Sequence, residues 1–346
     1  MILFLGHPQP DYFDNIFYAF KKTFGDEVVF FPRKNSLFSG QDGYTSLYYN
    51  FTQPEIDEKD ILEMNKSGKI NAVFVIANGS PIYEWLNVLL TRMLNTGGKK
   101  WPLVILDAAD DDRIKYRELA SFECKYDYYF KREHHLSVRG QTEQMHDPTQ
   151  LLAIKTGKYE EMFSPLPFCV VPEKFPQRAA GIANKTHEVF FRCGNAFYSQ
   201  NRAYYMYDFK YPNSTIDLML YPKTELHMQD RNEYFNHIIH SKINLNLIGG
   251  GHDCYRFWEI FAVGGFVLSQ KLDLTIEPGF EEGVHYDTFN SKAEMYDKIK
   301  FYCKFDDLRE KIALQGYNFV RNNHTCYHRM RFILDKMKNF NGAWQL

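Results

Sequence analysis

The stretch GGGHDCYRFWEIFAVGGFVLSQ, residues 249 to 270, sets Arg256 and Glu259 three residues apart in a segment otherwise suited to burial. On a helix starting near Tyr255 that spacing puts both side chains on one face. Phe257, Ile260 and Phe261 then point elsewhere, into a core. The plain outcome for such a pair is an ion pair along the helix. The chemical outcome is a binding face, because a carboxylate accepts hydrogen bonds from both hydroxyls of a ribose and a neighbouring arginine attracts a diphosphate. Those are the needs of a nucleotide-sugar site. Upstream, INLNLIGG reads as a strand with a glycine exit, and Asp253 or His252 stands where a helix cap is wanted.

Two further stretches carry suitable residues. In FFRCGNAFYSQNR an apolar strand ends at Cys193-Gly194, and Arg202 lies eight residues beyond the glycine. Glycine lets backbone N–H groups approach a phosphate, and arginine binds one bidentately. In LVILDAADDDR, Asp107 directly follows a buried strand, while Asp110 to Asp112 suit the cap of a helix beginning RIKYREL. The DDD run also admits a metal reading. Softer candidates for an acceptor side are His7, Asp11 and Asp14 in GHPQPDYFDN and Asn78 in ANGSP, both strand-exit loops.

The elements that must position these residues follow from hydrophobic spacing. MILFLG, EVVFFP, KINAVFVIANGS and WPLVILDAADDD read as apolar strands, and CKYDYYFKRE as a more exposed one. PDYFDNIFYAFKKTFG and PIYEWLNVLLTRMLNTGG between them have helical spacing and stop at glycine. Apolar strands alternating with helices imply parallel pairing covered on both faces. From about Gln141 to Gln177 prolines cluster, which marks an interdomain linker. The alternation then restarts with HEVFFRCGN and closes with two helices in SKAEMYDKIKFYCKFDDLREKIALQGYNFVRNN. The expected architecture is α/β, two Rossmann-like domains facing across a cleft, with a C-terminal helix returning to the first. The expected boundaries are 1–165 for an acceptor-side domain, 166–325 for a nucleotide-sugar domain and 326–346 for the helix.

Composition narrows the function classes. At 346 residues the chain suits two domains. A formal charge of −2 supplies no global basic field for a polyanion, so tight nonspecific nucleic-acid binding is disfavoured. The six cysteines show no CxxC or Cys/His spacing, which suits reduced thiols in a cytoplasmic compartment. MILFLGHPQPD has no basic flank and reads as a first strand rather than a leader, and no uncharged run approaches the ~20 residues that span a bilayer.

YRFWEIFAVGGFVLSQ resembles the R-x-[FW]-E-x-x-A-x-G-G segment of GT-B glycosyltransferases of the group-1 and CgeB-like kind. The resemblance runs on through FEEGVHYDTFNSKAEMYDKIKFY, LREKIALQGYNFV and NHTCYHR, roughly Ser241 to Arg329, with EGVHY as a loop. The same segment is similar to that of phage DNA β-glucosyltransferase, and YYFKREHHL resembles a Phe-Lys-Arg-Glu segment frequent in CgeB-like proteins. The resemblance implies that Glu259 holds a donor ribose and that Arg202, with Arg192, holds the diphosphate, with Gly194 beside them. It implies a strand-ending aspartate as general base, Asp107 first and Asp110 next, for an inverting transfer. The family pattern of two glutamates eight apart is broken, since position 251 is glycine, which leaves the donor sugar to His252 or Asp253.

The resulting expectation is a metal-independent glycosyltransferase with no obligatory cofactor and a nucleoside-diphosphate sugar, UDP-sugar foremost, as co-substrate. Its acceptor would be a glycan, a lipid-linked sugar or a nucleic acid. The alternatives are a non-catalytic nucleotide-sugar or glycan-binding partner subunit, motivated by Gly251, and a glucosyltransferase-like enzyme acting on DNA bases.

Overall fold

The computed structural model describes residues 1–7, 13–38, 49–77, 82–110, 123–135, 163–178, 184–194, 200–219 and 231–338. The chain divides into two compact units, Met1–Pro167 with Cys326–Leu346, and Phe168–Thr325.

The first unit is built on six parallel strands in the order β2-β1-β3-β4-β5-β6. They are β1 (Ile2–Leu5), β2 (Val28–Phe31), β3 (Ala72–Ala77), β4 (Leu103–Asp107), β5 (Tyr128–Lys131) and β6 (Phe163–Pro165). Strands β1, β3 and β4 are buried along their whole length, as their unbroken apolar character requires. Alternation sends Leu3, Leu5, Val73, Val75, Leu103 and Ile105 to one face. There they meet Ile61 of α2 (Glu58–Lys66) and Leu86, Leu89 and Leu90 of α3 (Ile82–Gly97). On the other face Phe4 stacks on Phe74 at 4.7 Å and meets Phe17 and Phe20 of α1 (Asp14–Phe24) edge-on. Helix α9 (Cys326–Met337) packs on α1, so the C-terminal helix does return to this unit.

Two local expectations are corrected here. The proline-rich stretch read as linker contains β6, which tolerates Pro165 because it is the edge strand of its sheet. Strand β5, read as exposed, is largely buried, because Lys131 within it and Arg132 and Glu133 just beyond it find charged partners inside the protein.

The second unit carries five parallel strands in the order β11-β10-β9-β7-β8. In chain order its elements are β7 (His187–Gly194), α4 (Gln200–Met206), β8 (Ser214–Met219), α5 (Arg231–His240), β9 (Ser241–Asn246), α6 (Tyr255–Ala262), β10 (Val267–Gln270), β11 (Asp287–Phe289), α7 (Lys292–Lys304) and α8 (Asp306–Asn323). Each unit is Rossmann-like, with helices packed on a parallel sheet. Strand β11 follows the segment read as the EGVHY loop. Helix α6 is fastened by Phe257, Ile260 and Phe261, each at most 1% exposed, as its spacing required. Gly316 of α8 lets the two helices close up, since a Cβ there would lie 2.6 Å from the Phe261 ring. Gly264, at φ +80°, turns the chain from α6 into β10.

All six cysteines are unbridged. Among the described residues no helix is long and apolar enough to cross a membrane.

Candidate functional site

Open α/β sheets present their ligand-binding loops beyond the carboxyl ends of the strands. In the second unit β7 ends in Arg192-Cys193-Gly194, and β9 leads through residues 247–254 into α6. Cys254 is the N-cap of α6 and its side chain makes no capping bond. Neither Asp253 nor His252 is the cap that was anticipated, and both make structural contacts. Asp253 is 3% exposed, accepting from the Trp258 indole N–H at 2.7 Å and from the Phe168 amide at 2.6 Å. His252 accepts the Asp273 amide at Nδ1, 2.9 Å away. Both side chains thus brace the loop.

Arg256 and Glu259 share a helix face but each has its own partner. Arg256 Nε donates to the Arg192 carbonyl at 2.7 Å, and its guanidinium lies 4.6 Å from the centre of the Phe191 ring. Its Nη1 is buried and has no hydrogen-bond partner among the described residues. Buried arginine nitrogens are rarely left so. Glu259 is 8% exposed and accepts the Tyr234 hydroxyl on Oε2 at 2.9 Å. Tyr234 comes from α5, and the Arg192 guanidinium sits 5.9 Å from its ring centre. Burial first, and the Glu259 carboxylate second, push the Tyr234 hydroxyl well above its ordinary pKa, so it remains a donor across the working range.

Arg202 of α4 completes the group. Its Nη2 lies 3.6 Å from Cys254 Sγ, and its guanidinium passes against Gly249. A Cβ at position 249 would come within 2.9 Å of Arg202 Cζ and closer still to Nη2, so a glycine is needed there for close approach. Asn201 and Gln270 hold α4 in place. Asn201 Nδ2 donates to Gln270 Oε1 at 2.7 Å and to the Ile248 carbonyl at 3.1 Å, and Gln270 Nε2 returns a bond at 2.9 Å. The structure therefore brings Arg192, Arg202, Arg256 and Glu259 to one end of one sheet. Gly194 closes β7 beside them, and residues 195–199 lie outside the described residues. Tyr234, Asn201 and Gln270 were missed by sequence reasoning. No charge pattern or motif singles them out.

Asp107, expected as the general base, lies inside the first unit. Asp107 is 0% exposed and lies 3.0 Å from the equally buried Lys131 ammonium. It also accepts from the Tyr129 hydroxyl and from the Ala109 amide at 2.9 Å. Both carboxylate oxygens are thus engaged by groups of the protein itself. Asp110 is exposed and pairs with Arg132, which also bonds the Ala108 carbonyl at 3.0 Å and Glu133 at 3.1 Å. The Lys-Arg-Glu run is thus a buried charge network at the carboxyl ends of β4 and β5. His7 is exposed at the end of β1, and Asp14 is buried against Lys34 at 2.6 Å. Asp11, Asn78, Asp111 and Asp112 lie outside the described residues. Among the described residues no three His, Cys, Asp or Glu side chains are grouped as metal ligands.

A family profile described as glycosyl transferase-like matches residues 217–335, a span that contains α6. The chain is similar to the solved structure of Anabaena Alr3699/HepE in complex with UDP, with a TM-score of 0.58 at 11% identity, covering 98% of this chain and 100% of that one. It is similar to an α-glucosyltransferase in complex with UDP and a 13-mer DNA containing an HMU base, at TM-score 0.57 and 10% identity, over 98% and 100% of the two chains. The lipopolysaccharide outer core galactosyltransferase WaaB in its apo form gives 0.54 at 11% identity, over 97% and 98%. No curated protein matches the sequence significantly. At these identities the likeness is one of fold, and the fold is that of GT-B-like glycosyltransferases.

Proposed function

We propose that this protein is a glycosyltransferase that takes its sugar from a nucleoside-diphosphate donor, with UDP-sugar foremost, held in the Phe168–Thr325 unit. The observation that carries this reading is the buried, unpartnered Nη1 of Arg256, set one helical turn from a buried carboxylate. A diphosphate oxygen satisfies that nitrogen, and the Glu259 carboxylate accepts from the ribose hydroxyls. Arg202 and Arg192 add positive charge to the same end of the sheet and stabilise the leaving diphosphate as it departs. That arrangement neutralises the diphosphate without calling on a metal ion. The fold relatives that hold UDP support the choice of nucleotide.

The inverting course expected from sequence depended on Asp107 as base. With Asp107 held by Lys131 and Tyr129, the proposal is confined to donor binding and leaving-group stabilisation.

The test is a thermal-shift screen of UDP, GDP and TDP, followed by mass detection of donor turnover with glycan, lipid-linked and hydroxymethylated-DNA acceptors. A nucleotide at a hundred times its Kd stabilises the native state by about 2.7 kcal/mol, so the right base stands out. Glu259→Ala abolishes the shift. Absence of any nucleotide effect at millimolar concentration refutes the reading. A donor that binds and is never turned over favours the non-catalytic binding subunit.

A further inference from the structure

We infer that Asn201 and Gln270 are positioning residues for donor binding. Together they set helix α4, and Arg202 on it, against the glycine loop that opens α6, and their contribution falls on the diphosphate rather than on the nucleoside. The inference deepens the donor-site reading above and rests on it.

The two amides exchange hydrogen bonds. Asn201 Nδ2 donates to Gln270 Oε1 at 2.7 Å, and Gln270 Nε2 donates to Asn201 Oδ1 at 2.9 Å. Both also hold the backbone of Ile248. Its N–H donates to Gln270 Oε1 at 3.3 Å, and its carbonyl accepts from Asn201 Nδ2 at 3.1 Å. These backbone contacts fix which way each amide faces. A flipped Gln270 would turn a donor toward the Ile248 N–H, and a flipped Asn201 would turn an acceptor toward its carbonyl.

The three segments joined in this way differ in what else holds them. Gln270 ends β10, which pairs with β9 on one side and β11 on the other, so the clamp starts from the sheet. Ile248 directly precedes Gly249, at the root of the loop that leads into α6 and Arg256. Helix α4 is anchored at its C-terminal end by Tyr205 and Met206, which are buried in the core of this unit. Its first turn carries Asn201 and Arg202, and Asn201 ties that turn to β10 and to the loop.

A guanidinium charge is permanent, so what Arg202 contributes at this end of the sheet is set by where α4 puts it. The approach is close, since a Cβ at Gly249 would lie 2.9 Å from Arg202 Cζ. A first turn released from the clamp therefore moves a cation relative to the loop. Glu259, assigned above to the ribose, sits on α6, which is seated in the core by Phe257, Ile260 and Phe261. The ribose contact thus does not depend on the clamp. Second contacts of this kind, built on a rigid strand, are what hold a binding group in its productive position.

The experiment measures UDP affinity by calorimetry and uridine affinity by displacement titration in the full chain, with melting temperature as the check on folding. Gln270→Leu should weaken UDP binding by about tenfold, the worth of one charge-assisted hydrogen bond, and leave uridine within about twofold of wild type. Asn201→Leu should do the same. The double variant should lose no more than either single one, the non-additivity of residues acting as one unit.

A Gln270→Leu protein that loses UDP and uridine alike overturns the inference, because the clamp then serves the fold alone. So does one that keeps the wild-type affinity for UDP, or a double variant that binds UDP clearly more weakly than both single ones. In each of these cases the donor site stands. If wild type does not bind UDP, the donor-site reading itself falls and takes the inference with it. Should the leucine variants fail to fold, Asn201→Ala decides with the same two ligands.

Discussion

Lys131 and Asp107 form an ion pair 3.0 Å long with both side chains wholly buried, one from the end of β5 and one from the end of β4. A pair of this kind is poorly worth its desolvation when intact and costly when broken, because removing one partner strands the other charge. Asp107→Asn should therefore lower stability by about 3 kcal/mol, read as a fall in the denaturant midpoint. Replacing both residues with apolar side chains of similar size should recover much of the loss. Were Asp107 the acceptor base, the asparagine variant would also lose turnover in its folded fraction.

Gly249 is a place where binding and folding should separate. An alanine there meets the far end of the Arg202 side chain, which can swing away at small cost to the fold. Gly249→Ala should leave the melting temperature within a degree or two of wild type. Nucleotide affinity should drop roughly tenfold, the equivalent of one charge-assisted hydrogen bond, measured by calorimetry with UDP.

Arg256→Lys should not behave as a conservative change. Lysine cannot both reach the Arg192 carbonyl from an Nε position and offer a second planar donor to a ligand. UDP affinity should fall by about tenfold or more with a modest loss of stability, since one ammonium cannot hold the Arg192 carbonyl and a ligand oxygen in the guanidinium's fixed geometry.

Asp253→Ala should show the opposite signature to Gly249→Ala. Asp253 gathers the Phe168 amide and the Trp258 indole into one buried knot. Losing two hydrogen bonds to a charged acceptor should cost about 3 kcal/mol or more of stability. UDP affinity of the folded fraction should remain close to wild type, since the side chain faces the loop interior.

Stability should also depend on pH through His285. Its ring stacks on Phe319 at 4.1 Å and its Nδ1 accepts the Glu281 amide at 3.0 Å, an arrangement that needs the neutral imidazole. Burial lowers its pKa from the ordinary value, against the pull of the Glu281 carboxylate. The unfolded chain therefore binds more protons between the two pKa values, so stability rises with pH in that window. The contribution is complete above about pH 6.5 and is lost as pH falls toward the folded value. Denaturant midpoints at pH 7.5 and 5.5 should differ less in His285→Phe than in wild type.

Much of the fold was legible because its signals are local. Nearly every strand of the two sheets shows in short apolar runs, and α6 shows in the placement of Phe257, Ile260 and Phe261. A strand's apolar character or a helix's stripe is written within a few residues, so no knowledge of the rest of the chain is needed. Strands β6 and β11 escaped because three-residue edge strands carry too short a pattern, and β6 also contains a proline.

The sequence by itself determined the alternating α/β plan and the helix that places Arg256 and Glu259 on one face. Only the tertiary structure decided what those and the other candidates touch. Tyr234 reaches Glu259 across 25 residues and Lys131 reaches Asp107 across 24, through sheet order and helix packing that no local spacing encodes. The same carboxylate chemistry stands at three positions. Asp107 is sealed by a lysine on the neighbouring strand, Asp253 bonds an indole and an amide, and Glu259 accepts from a phenol. A side chain's type states which bonds it can make, whereas burial and the partners brought by distant segments decide which it does make.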